Sequence, residues 1–296
     1  LLGSDKRITN FGGGNTSSKI LMKDPLSGED ENVLWVKGSG GDLGTMTLDD
    51  FATLYLDKLR ALQRLYKGPS TEDEMVGLYA HCIFNLNPRA PSIDTPLHGL
   101  VDRKCIDHMH PDAVIAIAAC KESASLTKDI YGDEIGWLPW IRPGFELGMR
   151  LKRFSDQNPA AKGVVLEGHG LFTWGDSDKE CYETTLAAIN RAIAWLATRS
   201  SVTHPFGSVA VEPLSQARRR GVAGALMPRI RGLISGKQPK VGHFDDSPAV
   251  LEFVSRQGLY KLANLGTSCP RSHRRVSRGV RRLLRALQAC RLARDA

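Results

Sequence analysis

Along the first 200 positions, short apolar runs and longer helical stripes alternate, and the mixture predicts an α/β chain. Val33 to Val36 read as a strand, followed by the small-residue loop Lys37-Gly38-Ser39-Gly40-Gly41. Thr47 then stands as an N-cap before Leu48, Phe51, Leu54, Tyr55, Leu59, Leu62 and Leu65, a stripe that predicts one helix to about Tyr66. A second helix is predicted over 71–87, opened by a Thr71/Glu74 capping box. Val101 to Asp107 leads into a strand end, and Pro111 suits the first turn of a helix with its body at Ala113 to Ala119.

Residues 131–150 read as loop-rich until a helix begins after Pro143. Val164-Val165-Leu166 and Leu171 to Gly175 read as paired strands across Gly168-His169-Gly170. Asp178 to Thr198 is a long amphipathic helix, with Cys181, Thr185, Ala188, Ile189, Ala192 and Trp195 on one face. Residues 8–21 place glycines and small polar groups between two apolar segments and read as a loop. One domain is expected over 1–270, with its core at about 8–200 and an appendix at 205–270 holding one or two helices and a short strand at Val241 to Phe244.

Composition changes the picture at one place. The net charge of +8 resides in residues 271–296, which hold nine arginines and one aspartate. The rest of the chain is electrically balanced, so basicity gives no argument for a nucleic-acid partner. The lysine-free run itself reads as a solvated, disordered tail or a non-native extension rather than a basic helix on an anionic surface. Six dispersed cysteines without a C-x-x-C pair read as free thiols. The longest apolar run, Ala113 to Cys120, is too short to cross a bilayer, so no membrane partner and a cytoplasmic location are expected.

The chemistry concentrates in PSIDTPLHGLVDRKCIDHMHPD (91–112) and in Glu167-Gly168-His169-Gly170. His108 and His110 flank one residue at a strand end, so both imidazoles leave the same face. A third imidazole, His169, between glycines that admit close backbone approach, completes a three-nitrogen set with open coordination positions. Catalytic zinc uses such a set. Two glycine loops, 12–14 and 38–41, could present backbone N–H groups to an anion or serve as plain turns. The second gives G-x-G-x-x-x-G rather than a dinucleotide fingerprint, and no NAD binding is expected.

The order F-x-G-G-N-x-S, K-x-S-G, S-x-D-T-P-x-H, H-x-H and G-H-G-L-F resembles the class II aldolase and adducin family over about residues 8–200. DHMHPDAVIAIAA, RPGFELG and GHGLFTWGD resemble the aldolase half of bacterial proteins joining rhamnulose-1-phosphate aldolase to a short-chain dehydrogenase. The resemblance implies a three-layer α/β/α domain with a mostly antiparallel central sheet. It implies Zn2+ or another divalent transition metal on His108, His110 and His169, and Asp94 as metal ligand and proton-transfer base. Gly14, Asn15, Lys37, Ser39, Gly40 and Ser92 match the loops that cradle the substrate phosphate. Ile93 stands where many relatives carry a second serine.

The implied activity is cleavage of a rhamnulose-1-phosphate-like ketose 1-phosphate to dihydroxyacetone phosphate and lactaldehyde, in a homotetramer. Aspartate at 94 is also what pentulose-phosphate 4-epimerases of the family carry, which keeps that reaction open. A non-catalytic, adducin-like assembly module is the third alternative.

Overall fold

The structure, a computed structural model, describes residues 1–9, 13–199, 206–236 and 238–265. The arginine-rich run 271–296, Cys269, Cys290 and the Phe11-Gly12 part of the first glycine loop lie outside the described residues. The chain divides into two compact units, Leu1–Arg199 and Ser200–Ala296.

The first unit is built on seven strands. They are β1 (Asn15–Lys23), β2 (Asp30–Lys37), β3 (Phe51–Tyr55), β4 (Cys105–Met109), β5 (Ile135–Leu138), β6 (Gly163–Leu166) and β7 (Gly170–Gly175), in the order β3-β2-β1-β4-β7-β6-β5. Every neighbouring pair is antiparallel except β5 with β6. Because opposed residues share a face, Met109, Leu171 and Val165 point one way and Ile106, Phe172 and Val164 the other. The first face carries α4 (Asp112–Ala118), α5 (Ser123–Tyr131) and α7 (Asp178–Ala197), with Val114, Ile117, Ile130 and Ile189 in its core. The second carries α1 (Leu56–Ala61), α2 (Glu72–Leu78), α3 (Thr95–Gly99) and α6 (Phe145–Gln157), packed through Leu59, Met75, Leu97 and Leu147. The three-layer expectation holds.

Several boundaries differ from the sequence reading. The helix expected from Thr47 to Tyr66 is instead a turn of 3-10 helix at Leu48–Asp50, then β3, then α1 and a second 3-10 turn. The capping signal is real but local: Thr47 N–H donates to Asp50 Oδ2 at 2.8 Å. Phe51–Tyr55 is extended because it pairs with β2, and Ala52, Thr53 and Leu54 are consecutively buried. Such a run satisfies both a helical stripe and a buried strand, and sheet pairing decides.

Residues 15–21, read as part of a loop, belong to β1, and Ile135–Leu138 in the loop-rich stretch form β5. The helix predicted over 71–87 ends at Leu78, followed by 3-10 turns to Cys82. Its capping box is absent, because Thr71 Oγ1 donates backward to Gly68 O.

In the second unit, α8 (Gln216–Ile234), α9 (Pro248–Val254) and α10 (Leu259–Leu265) are helical. The strand predicted at Val241 to Phe244 is not formed; Val241 is almost fully exposed and no strand pairs with it. An unpaired strand leaves its backbone groups without a ladder, and an isolated bridge, Val209 to Arg256, is the β pairing found among the described residues there.

A buried carboxylate ties α2 to α6. Glu72 accepts the N–H groups of Phe145 and Glu146, each at 2.7 Å, and the Tyr66 hydroxyl at 3.1 Å. It thus caps the first turn of α6 from another helix. Glu72→Ala should cost about 2–4 kcal/mol in urea unfolding, since two helix-end donors lose a charged acceptor in a buried setting. Glu72→Gln, which keeps acceptors but no charge, should lose less.

Candidate metal centre

The sheet order explains why distant residues meet. β4 ends where β7 begins, and in the ladder Asn15 of β1 lies opposite His108, which lies opposite Phe172. The C-terminal ends of β2, β4, β5 and β6 and the starts of β1, β3 and β7 therefore share one end of the sheet. His108, Met109 and His110 emerge there, facing the turn that carries His169.

The three imidazoles are buried, and their ligand atoms lie within 4.8 Å of one another. His108 Nε2 stands 3.0 Å from His110 Nε2 and 3.1 Å from His169 Nε2. His108 Nδ1–H donates to Leu171 O at 3.1 Å, which leaves its Nε2 as a lone pair facing both partners. A single proton relieves one of those contacts, whereas a divalent cation satisfies all three nitrogens. The donor set therefore fits a metal of the zinc type, which prefers imidazole nitrogen. Burial, with the neighbouring His110 and His169 adding, holds His108 well below the ordinary histidine pKa, so it is ready to coordinate as a neutral ligand.

Packing and turn geometry hold the site. Phe172 stacks on His108 with centroids 4.1 Å apart and planes 12° apart. The His169 turn is held by Gly168 N–H on Ala118 O at 2.8 Å and His169 N–H on Leu166 O at 3.1 Å, with Gly168 at φ 56°. That conformation suits glycine. Gly170 has no room for a side chain: a Cβ there would stand 2.7 Å from Met109 O and 2.8 Å from His110 Cδ2.

The structure brings the other sequence candidates to the same end of the sheet in two groups. Gly14 and Asn15 adjoin the histidines; a Cβ on Gly14 would be 2.8 Å from His108 O. The Asn15 amide is fully buried, and neither its nitrogen nor its oxygen has a hydrogen-bond partner among the described residues. A buried amide in that state is a site waiting for polar atoms from elsewhere. Lys37 ends β2, is 1% exposed, and donates Nζ–H to Gly40 O at 2.9 Å. Ser39 N–H donates to Ala90 O at 2.8 Å, which puts the Ser39-Gly40 loop against the segment leading to Ser92. Ser92 accepts the Asp94 N–H at 3.3 Å, and Asp94, buried, is the N-cap of α3. Among the described residues, the metal-capable cluster consists of the three histidines.

Other participants had no decisive sequence signal. Thr9 Oγ1 accepts the His110 N–H at 3.4 Å across 101 residues. Thr95 Oγ1, next to Asp94, and the Tyr79 hydroxyl are buried without hydrogen-bond partners among the described residues. Burial raises the Tyr79 pKa, with the charges of Glu72 and Asp94 adding, so its hydroxyl keeps its proton.

His98 of α3 lies beneath Phe172, centroids 5.6 Å apart, with Nδ1 2.7 Å from Ser17 Oγ. Burial, then the Lys19 charge, pulls its pKa from 6.5 down to about 3. A depressed histidine is neutral in the fold and protonated in the unfolded chain below its ordinary pKa. Its stability contribution is complete above pH about 6.5 and is lost as pH falls toward 3. Urea midpoints measured from pH 7 to 4 should fall steeply, and His98→Asn should make that limb shallower by about one proton.

A family model described as the Class II Aldolase and Adducin N-terminal domain matches residues 2–196, and one described as Aldolase class II, second domain, matches residues 221–275. The uncharacterized oxidoreductase YuxG of Bacillus subtilis (strain 168) is 38% identical over 270 residues, covering 91% of this chain and 39% of that protein. The chain thus spans well under half of that relative's length. Methylthioribulose-1-phosphate dehydratase of Enterobacter sp. (strain 638) is 26% identical over 151 residues, 50% of this chain and 70% of the relative. The solved N-terminal class II aldolase domain of a conserved protein from Thermoplasma acidophilum superposes with a TM-score of 0.60 and 32% identity, over 66% of this chain and 89% of that one.

Proposed function

The chain belongs to the class II aldolase and adducin family, and we propose that within it this protein is a metal-dependent aldolase. The reaction is cleavage of a rhamnulose-1-phosphate-like ketose 1-phosphate to dihydroxyacetone phosphate and lactaldehyde. The observation that carries this reading is the buried cluster of three imidazole nitrogens beside an unsatisfied Asn15 amide and a buried lysine. A non-catalytic assembly module has no use for that cluster.

His108, His110 and His169 would hold the ion. When bound, it supplies positive charge beside the substrate carbonyl, where negative charge develops as the C3–C4 bond breaks. Lys37, Asn15, Gly14, Ser39, Gly40 and Ser92 bind the phosphate and fix the chain of carbons. Asp94 takes the C4 hydroxyl proton in the cleavage direction, the role that its place in the S-x-D-T-P-x-H motif implies. The buried surroundings of Asn15 and Asp94 keep bulk water from competing. We place this enzyme in the cytoplasm as a homotetramer.

Asp94→Asn keeps size and hydrogen bonding but cannot accept the proton. Cleavage should fall about 10²–10⁴-fold with metal content unchanged. Product analysis tests the whole reading: purified protein with zinc is given rhamnulose 1-phosphate and ribulose 5-phosphate, and aldehyde, dihydroxyacetone phosphate and xylulose 5-phosphate are quantified. Turnover of ribulose 5-phosphate alone favours the 4-epimerase, which the aspartate at 94 permits. Loss of water from a ketose 1-phosphate without carbon–carbon cleavage points to dehydration, the reaction named for the Enterobacter relative.

A further inference from the structure

The loop after β5 brings an exposed aromatic to the edge of the histidine turn. β5 runs parallel to β6 with Leu138 opposite Leu166, so both strands deliver the chain to the metal end of the sheet. Trp140 follows, its backbone N–H donating to Glu167 Oε2 at 2.9 Å. Its ring lies against Gly168, the neighbour of His169: a Cβ on Gly168 would meet Trp140 Cδ1 at 3.4 Å. Yet the side chain is 56% exposed, and among the described residues of the Leu1–Arg199 unit no other aromatic is exposed to that degree. An indole fixed at its backbone, beside a buried ligand set and open to solvent, is placed to give apolar contact to part of a ligand bound there.

Position says what that would be. The loops assigned to phosphate sit over β2 and β1, and the histidines over β4 and β7. Trp140 stands on the opposite flank, over β6 and β5. A substrate held at its phosphate and at its carbonyl end directs its remaining carbons to that flank. We propose that Trp140 is the specificity-determining contact for the end of the substrate remote from the phosphate, and that its ring selects a methyl-terminated, 6-deoxy ketose phosphate over one ending in hydroxymethyl. This rests on the ketose-phosphate reading above and assigns a residue to the methyl end of that substrate. An apolar ring face gains from a methyl and leaves a hydroxyl without a partner, a preference on the order of tenfold. Glu167 is a positioning residue in this arrangement, holding the Trp140 backbone.

The test compares wild type, Trp140→Phe and Trp140→Ala as full chains loaded with zinc. Cleavage is measured on matched ketohexose 1-phosphates that differ in carrying methyl or hydroxymethyl at C5, and tryptophan fluorescence is titrated with the 6-deoxy compound. The expected result is a methyl-over-hydroxymethyl ratio of kcat/KM about tenfold lower in Trp140→Ala, mainly through KM, and largely kept in Trp140→Phe. Metal content should be unchanged, and a ligand-induced fluorescence change in wild type should be missing in Trp140→Phe.

An unchanged ratio overturns the proposal. So does a fluorescence change that persists without Trp140, or none in wild type. If Trp140→Ala alters the oligomeric mass and leaves the ratio alone, the ring is a subunit contact and the proposal also falls. Should wild type cleave neither sugar, the aldolase reading fails, and the fluorescence comparison still decides whether Trp140 touches the ligand.

Discussion

His110→Ala is expected to purify folded, without bound divalent metal, and with cleavage at least about 10³-fold below wild type. His110 supplies one of three nitrogens, and its Nε2 sits 3.0 Å from that of His108. Its loss leaves two ligands, too few to hold a catalytic ion against buffer. In the metal-free protein the substitution removes a buried ring and its contact with His108 Nε2, so the apo variant should unfold somewhat more readily than apo wild type.

What disappears is the gain on adding zinc. Wild type should gain about 2.7 kcal/mol at a free metal concentration 100 times its dissociation constant, and the variant close to none. Elemental analysis and thermal unfolding with and without zinc read both effects. Unchanged metal and an unchanged rate would remove the metal assignment.

Gly170→Ala is expected to do comparable harm without touching a ligand. The added methyl would stand 2.7 Å from Met109 O and 2.8 Å from His110 Cδ2, and also 3.5 Å from His108 Cε1. Either β7 moves away from β4 or the imidazoles rotate. Overpacking of this kind costs about 1–3 kcal/mol, and a displaced ligand should weaken metal binding by at least about tenfold. Gly77→Ala in α2 is the control, because nothing lies within 4 Å of the position its Cβ would take. It should stabilise by up to about 1 kcal/mol, as alanine does in a helix interior. If both variants behave alike, the close fit around Gly170 has no functional weight.

The legible and illegible parts of this chain divide along physical lines. The histidine cluster could be read because two ligands sit at i and i+2 on a strand end, and period-2 geometry makes them converge without any tertiary knowledge. His169 was readable from its glycines, which announce a turn with close backbone approach. Leu48 to Leu65 misled because the same apolar residues fit a helical stripe, and only the ladder with β2 makes Phe51–Tyr55 extended. β5 has four residues and includes Gly136, too little pattern to rise above a loop.

Asn15 was picked out through motif resemblance, but its place opposite His108 depends on β1 pairing with β4, some ninety residues away. Glu72 capping α6 and Thr9 supporting His110 are likewise non-local, and no local periodicity encodes them.

The order of strands also sets a clock for the site. β4 and β7 are interior to the sheet, paired on both edges, so their amide protons should exchange with solvent only when the whole unit opens. The Lys37–Gly41 loop, with Ser39 and Gly40 at the surface, should exchange orders of magnitude sooner. One half of the proposed site would then keep time with global unfolding, while the loop proposed for phosphate samples new shapes many times in every such interval.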